Sequence, residues 1–347
     1  MNYELKRTMN YIPVLLFLAV TLTLHAEKKH GTELVFVEYN CENMFDCRHD
    51  SLKNDYEFLP EGERQWNFGR YWKKLNDIGR AIQQCGEPAS HGRKESEPYH
   101  LPDLVAMCEV ENDSVMCMLT RGAVLRGAGY RYVMTESPDI RGIDVALLYN
   151  PLTFRLAEHK SMRVPHIHGR RPTRDILYAK GTVRSSDTLH VFVVHAPSRS
   201  GGANETEPYR LNVAQILVNA VDSIKNVEKD AAIIIAGDFN DYSDDLSLHM
   251  LREAGTTEAT LEAKGVNYKN TGVSGTYKYQ GWWDSLDHIF ISKRLEKRKR
   301  QCNILDYQWL LEEDATWGGY KPCRTFLGPY YHGGTSDHLP IVMYIEL

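Results

Sequence analysis

The sequence has no CxxC pair among its seven cysteines, at 41, 47, 85, 108, 117, 302 and 323, which removes the ligand spacing of a zinc ribbon. The count is odd, so an exported chain keeps at least one thiol unpaired. Whether Cys302 and Cys323 pair is left open. Cys108 lies in an apolar run and reads as a small core residue. An excess of positive charge is also missing: 41 Lys and Arg stand against 46 Asp and Glu, a net −5. A polyanion would therefore have to be held by a local cluster rather than a global field. There is no internal repeat and no linker that divides the chain. Past residue 26, no apolar stretch is long enough for a membrane helix. What is present, 42% hydrophobic and 25% charged residues over 347 positions, is enough for one globular domain with a sizeable core.

Residues 1–26 read as a leader. Lys6 and Arg7 precede an uncharged run, 14–24 (VLLFLAVTLTL), and Leu24-His25-Ala26 resembles a small-residue cleavage site. Removing Glu4, Lys6 and Arg7 with the leader takes the net charge from −5 to −6. No cysteine follows the run, so a lipid anchor has little support. The expected mature protein is residues 27–347, exported to the periplasm or beyond, without a membrane anchor. A monomer is expected, with no stable protein partner.

Eight short apolar runs read as strands: 34–39, 104–108, 145–149, 176–183, 189–194, 232–236, 288–291 and 341–345. They are near-continuous rather than alternating, as in strands covered on both faces. Trp72, Leu75, Ile78 and Ile82 share one helical face, and so do Leu211, Ala214, Val218 and Val221. Strands mixed with covering helices predict a layered α/β fold. The stretch 87–100 (EPASHGRKESEPYH) reads as an exposed loop. The basic run 293–300 (KRLEKRKR) reads as a solvated turn after a strand.

The chemistry lies at the ends of these runs. LVFVEYN ends at Asn40, LVAMCE at Glu109, HVFVVH at His195, and AAIIIAGDFN with Asp238 and Asn240. SLDHIFI brings Asp287, and SDHLPIVMYI brings Asp337 and His338. One polar strand end is an ordinary cap. Six such segments would be costly to half-bury unless the groups pair or bind metal. Carboxylate and amide oxygens suit Mg²⁺ or Mn²⁺. Asp or His can align and deprotonate a water, and Asn or protonated His can stabilise charge on phosphoryl oxygens. The spacing of Asp238 and Asn240 puts both side chains on one face if the strand continues.

These segments resemble the endonuclease/exonuclease/phosphatase superfamily, of DNase I-like proteins. The resemblance rests on GDFND (237–241), SDHLPI (336–341) and LDHIFIS (286–292), supported by YNCENMFD (39–46), MCEVEN (107–112) and RGIDVALLY (141–149). Their order along the chain matches the family. The resemblance implies a four-layer α/β/β/α sandwich with the site at one edge of two sheets. It implies that Glu109, Asn40 and Asp337 contact a divalent metal, Mg²⁺ or Mn²⁺. It gives His195, Asp238, Asn240, Asp287 and His338 to catalysis: Asp238 on the attacking water, His338 on the scissile phosphate, and Asp287 orienting a histidine. Phosphate contacts fall to Asn40, Arg174 and Asn240. Glu42 is discounted, because only some members carry an acid there. Arg199 has a status similar to that of Arg174, and Arg141 reads as structural.

The expected activity is metal-dependent hydrolysis of phosphate esters, with a nuclease ahead of a lipid-directed phosphodiesterase or phosphoinositide phosphatase. Nucleic acid is one candidate partner. A lipid-directed enzyme would expose an apolar hairpin, for which YQGWW (279–283) is the candidate, although packing under the 286–292 strand is the plainer reading. A non-catalytic binding module would have lost acidic or histidine positions, and all of them are present.

Overall fold

A computed structural model describes residues 33–94, 96–167, 171–184 and 187–347. The predicted leader, 1–26, lies outside the described residues.

The chain lays down β1 (Glu33–Met44), β2 (Leu104–Val110), β3 (Arg131–Met134) and β4 (Asp144–Tyr149) of a first sheet. A second sheet follows, with β5 (Phe154–Met162), β6 (Ile176–Val183), β7 (Thr188–His195), β8 (Ala232–Asp238) and β9 (Thr256–Glu258). A two-stranded hairpin of β10 (Tyr277–Tyr279) and β11 (Trp282–Asp284) precedes β12 (Asp287–Ser292) of the second sheet. The first sheet gains β13 (Arg300–Ile304), and two small hairpins come next: β14 (Leu311–Glu313) with β15 (Tyr320–Pro322), and β16 (Phe326–Leu327) with β17 (Tyr330–Tyr331). The last strand, β18 (Ile341–Glu346), closes the first sheet. The orders are β13-β18-β1-β2-β4-β3 and β5-β6-β7-β8-β12-β9. Both sheets are mixed: β1 runs parallel to β2 and β7 parallel to β8, and the remaining pairs are antiparallel.

Side-chain alternation explains the continuous apolar runs. In β8, Ala232, Ile234 and Ala236 join the core between the sheets, while Ile233 and Ile235 join a second core under the helix Ala203–Val227. In β7, Val191 and Val193 face the first core and Phe192 and Val194 the second. Both faces of β8 are dry, so no polar residue interrupts it until Asp238, whereas β7 carries one, the buried His190. On the far side of the first sheet, the helix Phe68–Gln84 buries Leu75, Ile78, Ala81 and Ile82. Asn67 caps it by accepting from the Arg70 N–H at 3.2 Å. The four layers are helix, sheet, sheet and helix.

Several expectations change. All eight predicted strands form. The polar edge strands β3, β5 and β13 were invisible to an apolar pattern, because an edge strand exposed to water keeps charged side chains. Trp72 is not on the buried helical face; it stacks on Phe68 at the surface. On the second helix the buried stripe is Val213, Ala214, Leu217 and Val221, with Leu211 and Val218 at its margins. The stretch 87–100 is not simply an exposed loop: Ser90 and His91 are buried, and the His91 ring stacks on Tyr344 at 5.8 Å. All seven cysteines are free, so Cys302 and Cys323 do not pair. Tyr279 and Trp282 do not pack beneath β12; they stand exposed on the β10–β11 hairpin, and only Trp283 reaches the core.

Candidate active site

The polar strand ends meet at one edge of the sandwich, around a cleft of about 810 Å³. Register puts them there. Asp238 is the Cα partner of both His195 and Asp287 across neighbouring strands. It continues the face of Ile234 and Ala236 between the sheets. Asn40 reaches across from β1, and its amide donates to Asp238 Oδ2 at 2.9 Å.

Two β-bulges aim the remaining groups. The β1–β2 register shifts between Asn40 and Met44, and the β2–β4 register between Cys108 and Val110. Cys108 donates its thiol to Val194 O, so it faces the second sheet. Strict alternation would turn Glu109 the other way. Instead Glu109 adopts a left-handed conformation (φ 60°) and lines the cleft. Glu42 (φ 47°), Asn43 (φ 56°) and Asn240 (φ 52°) do the same. Four of the six described non-glycine residues with positive φ therefore line this cleft, a concentration of backbone strain typical of functional sites. Gly237 has no alternative: at φ 146°, a Cβ there would lie 1.9 Å from Val194 O.

The titrating groups separate by charge. His338 Nδ1 and Asp287 Oδ2 are 2.6 Å apart, and Asp287 also accepts from Thr276. Burial alone would lower the His338 pKa, but Asp287, Asp337 and Asp238 hold it well above the ordinary histidine value, as a cation. His195 is driven the opposite way, first by burial and then by Arg174 and Arg141, and stays neutral. Its Nε2 lies 3.6 Å from Asp238 Oδ2 and 3.8 Å from Glu109 Oε1. Burial, then the charge of Asp287, raises Asp238 to about 7. Asp238 Oδ1 accepts the Asn240 N–H at 2.8 Å, so both carboxylate oxygens are oriented.

The other predicted residues fall into place as follows. Asn240 lines the cleft from a turn rather than from a continued strand, because β8 ends at Asp238 and Phe239 packs in the outer core. Its amide donates to Ala196 O at 3.1 Å. Arg174 is buried at the cleft edge, held by Ala196 O at 2.7 Å and Asp139 at 3.4 Å. Arg199 is tied to Asp245 and Asp241 at 2.7 and 3.1 Å. Of the three expected metal contacts, Glu109 and Asp337 both line the cleft. Among the described residues, neither Glu109 nor Asp337 belongs to a set of three acidic, histidine or cysteine ligand atoms within 4.8 Å of one another. Asn40 Oδ1 accepts from Glu42 N at 3.0 Å, and Asp337 pairs with Arg324 at 2.6 Å. The Asp238, Asp287 and His338 ligand atoms do lie within 4.8 Å of one another. The short bond between a charged imidazole and Asp287 makes that group a dyad rather than a cation cage.

Sequence reading missed several participants. Glu42 is buried in the cleft, accepts Thr325 N–H at 2.6 Å and lies 3.6 Å from Arg324 Nε. Burial and then Asp337 raise its pKa to about 7. Only its position two residues beyond Asn40 pointed to it. Lys74, fully buried in the helix Phe68–Gln84, bonds Thr325 and Thr335 behind it. Arg141, read as structural, lines the cleft 4.0 Å from Glu109 and donates to Asn43. Glu38 lies beneath the dyad with neither oxygen partnered, and burial, then Asp287 and Asp238, keep it neutral.

A fold of this design, with this edge cleft, defines the DNase I-like class. Residues 35–347 match the model of the endonuclease/exonuclease/phosphatase family, and the chain belongs to that family. An endonuclease/exonuclease/phosphatase family protein from Bacteroides thetaiotaomicron superposes with a TM-score of 0.58 at 15% identity, covering 91% of this chain and 98% of that one. Truncated Caenorhabditis elegans TDP2 gives 0.52 at 13%, covering 91% and 98%. The human Nocturnin catalytic domain with bound sulfate gives 0.52 at 15%, covering 90% and 94%. At these identities the likeness is one of fold. No curated protein sequence matches the chain.

Proposed function

We propose that the protein is a divalent-metal-dependent phosphoesterase, cleaving phosphodiesters by a water that Asp238 deprotonates. The observation that carries this reading is a pair of oppositely tuned groups facing one cleft: Asp238, raised to about 7, and His338, held cationic by Asp287. Separated acid and base pKa values are what a proton-transfer site requires. Asp238 takes the proton of the attacking water. His338 donates to a phosphoryl oxygen as charge builds there. Asn240 and Arg174 line the same cleft and orient the phosphate, and Arg141 lines it too. His195, neutral, faces the Asp238 and Glu109 carboxylates with Nε2 and adds no charge there.

The donor set fits a hard dication. Glu42, Glu109, Asp238 and Asp337 all line the cleft, and burial, ahead of any neighbouring charge, raises Glu42 and Asp238. Glu109 would hold Mg²⁺ or Mn²⁺; Glu42, 3.6 Å from Arg324, and Asp337, 2.6 Å from it, share that guanidinium. Bound there, the cation would neutralise the phosphate and the departing oxygen.

A nucleic acid is the favoured substrate, presented to an exported monomeric enzyme. Exposed Tyr279 and Trp282 on the β10–β11 hairpin favour a second reading, a phosphodiesterase directed to lipid head groups. The test is hydrolysis by residues 27–347 of plasmid DNA, RNA, sphingomyelin, a phosphoinositide and bis-p-nitrophenyl phosphate, with Mg²⁺, Mn²⁺ or EDTA. Cation-dependent turnover lost in His338→Ala supports the reading. Turnover that survives EDTA or the variant ends it.

A further inference from the structure

A second set of ligands lies outside the cleft. Glu312 projects from β14, Cys323 follows β15, and His332 follows β17. Their ligand atoms all lie within 4.8 Å of one another. We propose that Glu312, Cys323 and His332 bind a transition-metal dication of the zinc type, at a site separate from catalysis.

The donor types argue for this cation class. A thiolate, an imidazole and a carboxylate together suit a borderline-soft ion, whereas Mg²⁺ takes oxygen. Three protein ligands leave a fourth position for water in a tetrahedral shell. Bonds of roughly 2.0–2.3 Å place such ligands roughly 3–4 Å apart, so little rearrangement is needed. His332 Nε2 already touches Glu312 Oε2. The other oxygen, Glu312 Oε1, is buried and makes no hydrogen bond, although Lys321 Nζ lies 3.5 Å away. The imidazole and the thiol are both partly open, which gives an ion a way in.

The backbone around the three ligands is fixed. Cys323 N–H donates to Leu310 O at 2.8 Å, Thr335 N–H to Cys323 O at 2.7 Å, and His332 N–H to Thr325 O at 2.8 Å. The next two residues after Cys323 reach the cleft: Arg324 binds Asp337, and Thr325 N–H binds Glu42. A cation here pins the segment that carries both contacts to the β14–β15 hairpin.

The test uses the chain 27–347, stripped with EDTA and kept in excess Mg²⁺ so that the oxygen-rich cleft is saturated. Co²⁺ is then titrated in. The expected result is one equivalent bound with a thiolate-to-cobalt charge-transfer band in the near ultraviolet. Zn²⁺ should bleach the band and raise the thermal midpoint. The band should vanish in Cys323→Ser, weaken in His332→Ala and Glu312→Gln, and persist in Glu109→Gln. Wild-type protein that develops no band overturns the proposal, as does a band that survives in Cys323→Ser or is unchanged in both other ligand variants.

Discussion

His338 Nδ1 sits 2.6 Å from Asp287 Oδ2, and Asp287 is wholly shielded from water. A carboxylate so placed can neither be screened by solvent nor turn away, so it fixes the imidazole's orientation and charge together. Asp287→Asn keeps the shape and removes the charge. Turnover should fall by about 10²-fold or more with circular dichroism unchanged, because the phosphoryl oxygen loses a cationic donor. Near-native turnover in this variant would remove His338 from the proton-transfer role.

The same pair sets a pH profile. The rate requires Asp238 ionised and His338 protonated. Asp238 is raised to about 7, and His338 lies well above the ordinary histidine range. In subsaturating cation, kcat/KM should climb through neutrality and decline only at higher pH. Added cation should move the rising limb to lower pH, since positive charge favours the carboxylate. His338→Gln should erase the declining limb and leave the rising one, which a stopped-flow or steady-state pH series reads directly.

Glu109 is the carboxylate proposed to hold the cation, while Asp337 is paired with Arg324. Glu109→Gln should raise the Mg²⁺ or Mn²⁺ concentration needed for half-maximal activity by about 10²-fold, and Asp337→Asn should change it less. An Asp337→Asn effect as large as that of Glu109→Gln would restore Asp337 to the ligand set.

The fold was readable from the sequence where both faces of a strand are dry, as in β8, because dryness leaves an unbroken apolar run. It was unreadable where water covers one side: β5 (FRLAEHKSM) carries charges along almost its whole length and is held by pairing to β6. The site was readable at strand ends that keep their register, so Asp238, Asp287 and His195 fall together as alternation requires. It was not readable at the bulges. Period two turns Glu109 away from the cleft, and only a left-handed residue brings it back. Arg324, Thr325 and Lys74 had no local signal at all: Arg324 and Thr325 reach Glu42 from the far end of the chain, and Lys74 bonds Thr325 from the helix Phe68–Gln84.

Stability has its own buried pair. His288 and Glu258 meet at 2.9 Å, and His288 also contacts Asp241 O at 2.9 Å, with no water access. Burial opposes charge on His288, yet Glu258 raises its pKa above the ordinary value; Glu258, opposed by burial in the same way, is lowered by His288. The histidine's contribution is complete below its unfolded pKa of about 6.5 and fades as pH rises through the higher folded value. The glutamate's is complete above its unfolded pKa of about 4.3 and fades as pH falls through the lower folded value. The gap in unfolding free energy between wild type and His288→Gln should therefore be widest between those limits, at about 3 kcal/mol, and narrow on either side. Urea titrations at a series of pH values give the gap, and one that is flat with pH would mean that His288 is neutral.

Exposed Tyr279 and Trp282 lie on a hairpin whose first strand also lines the cleft through Tyr277 and Tyr279. Nothing in the proton chemistry uses Trp282. If the hairpin grips a large substrate, Trp282→Ser should leave turnover of bis-p-nitrophenyl phosphate unchanged, since that molecule fits within the cleft. The same variant should raise KM for the natural substrate, by about tenfold for one lost stacking or interfacial contact of about 1–3 kcal/mol. The nature of the loss then separates the two readings: salt-sensitive binding that falls with Trp282→Ser on nucleic acid points to base stacking, whereas loss confined to vesicle-borne substrate points to a lipid surface. Equal kinetics on every substrate would leave the hairpin without a part in recognition.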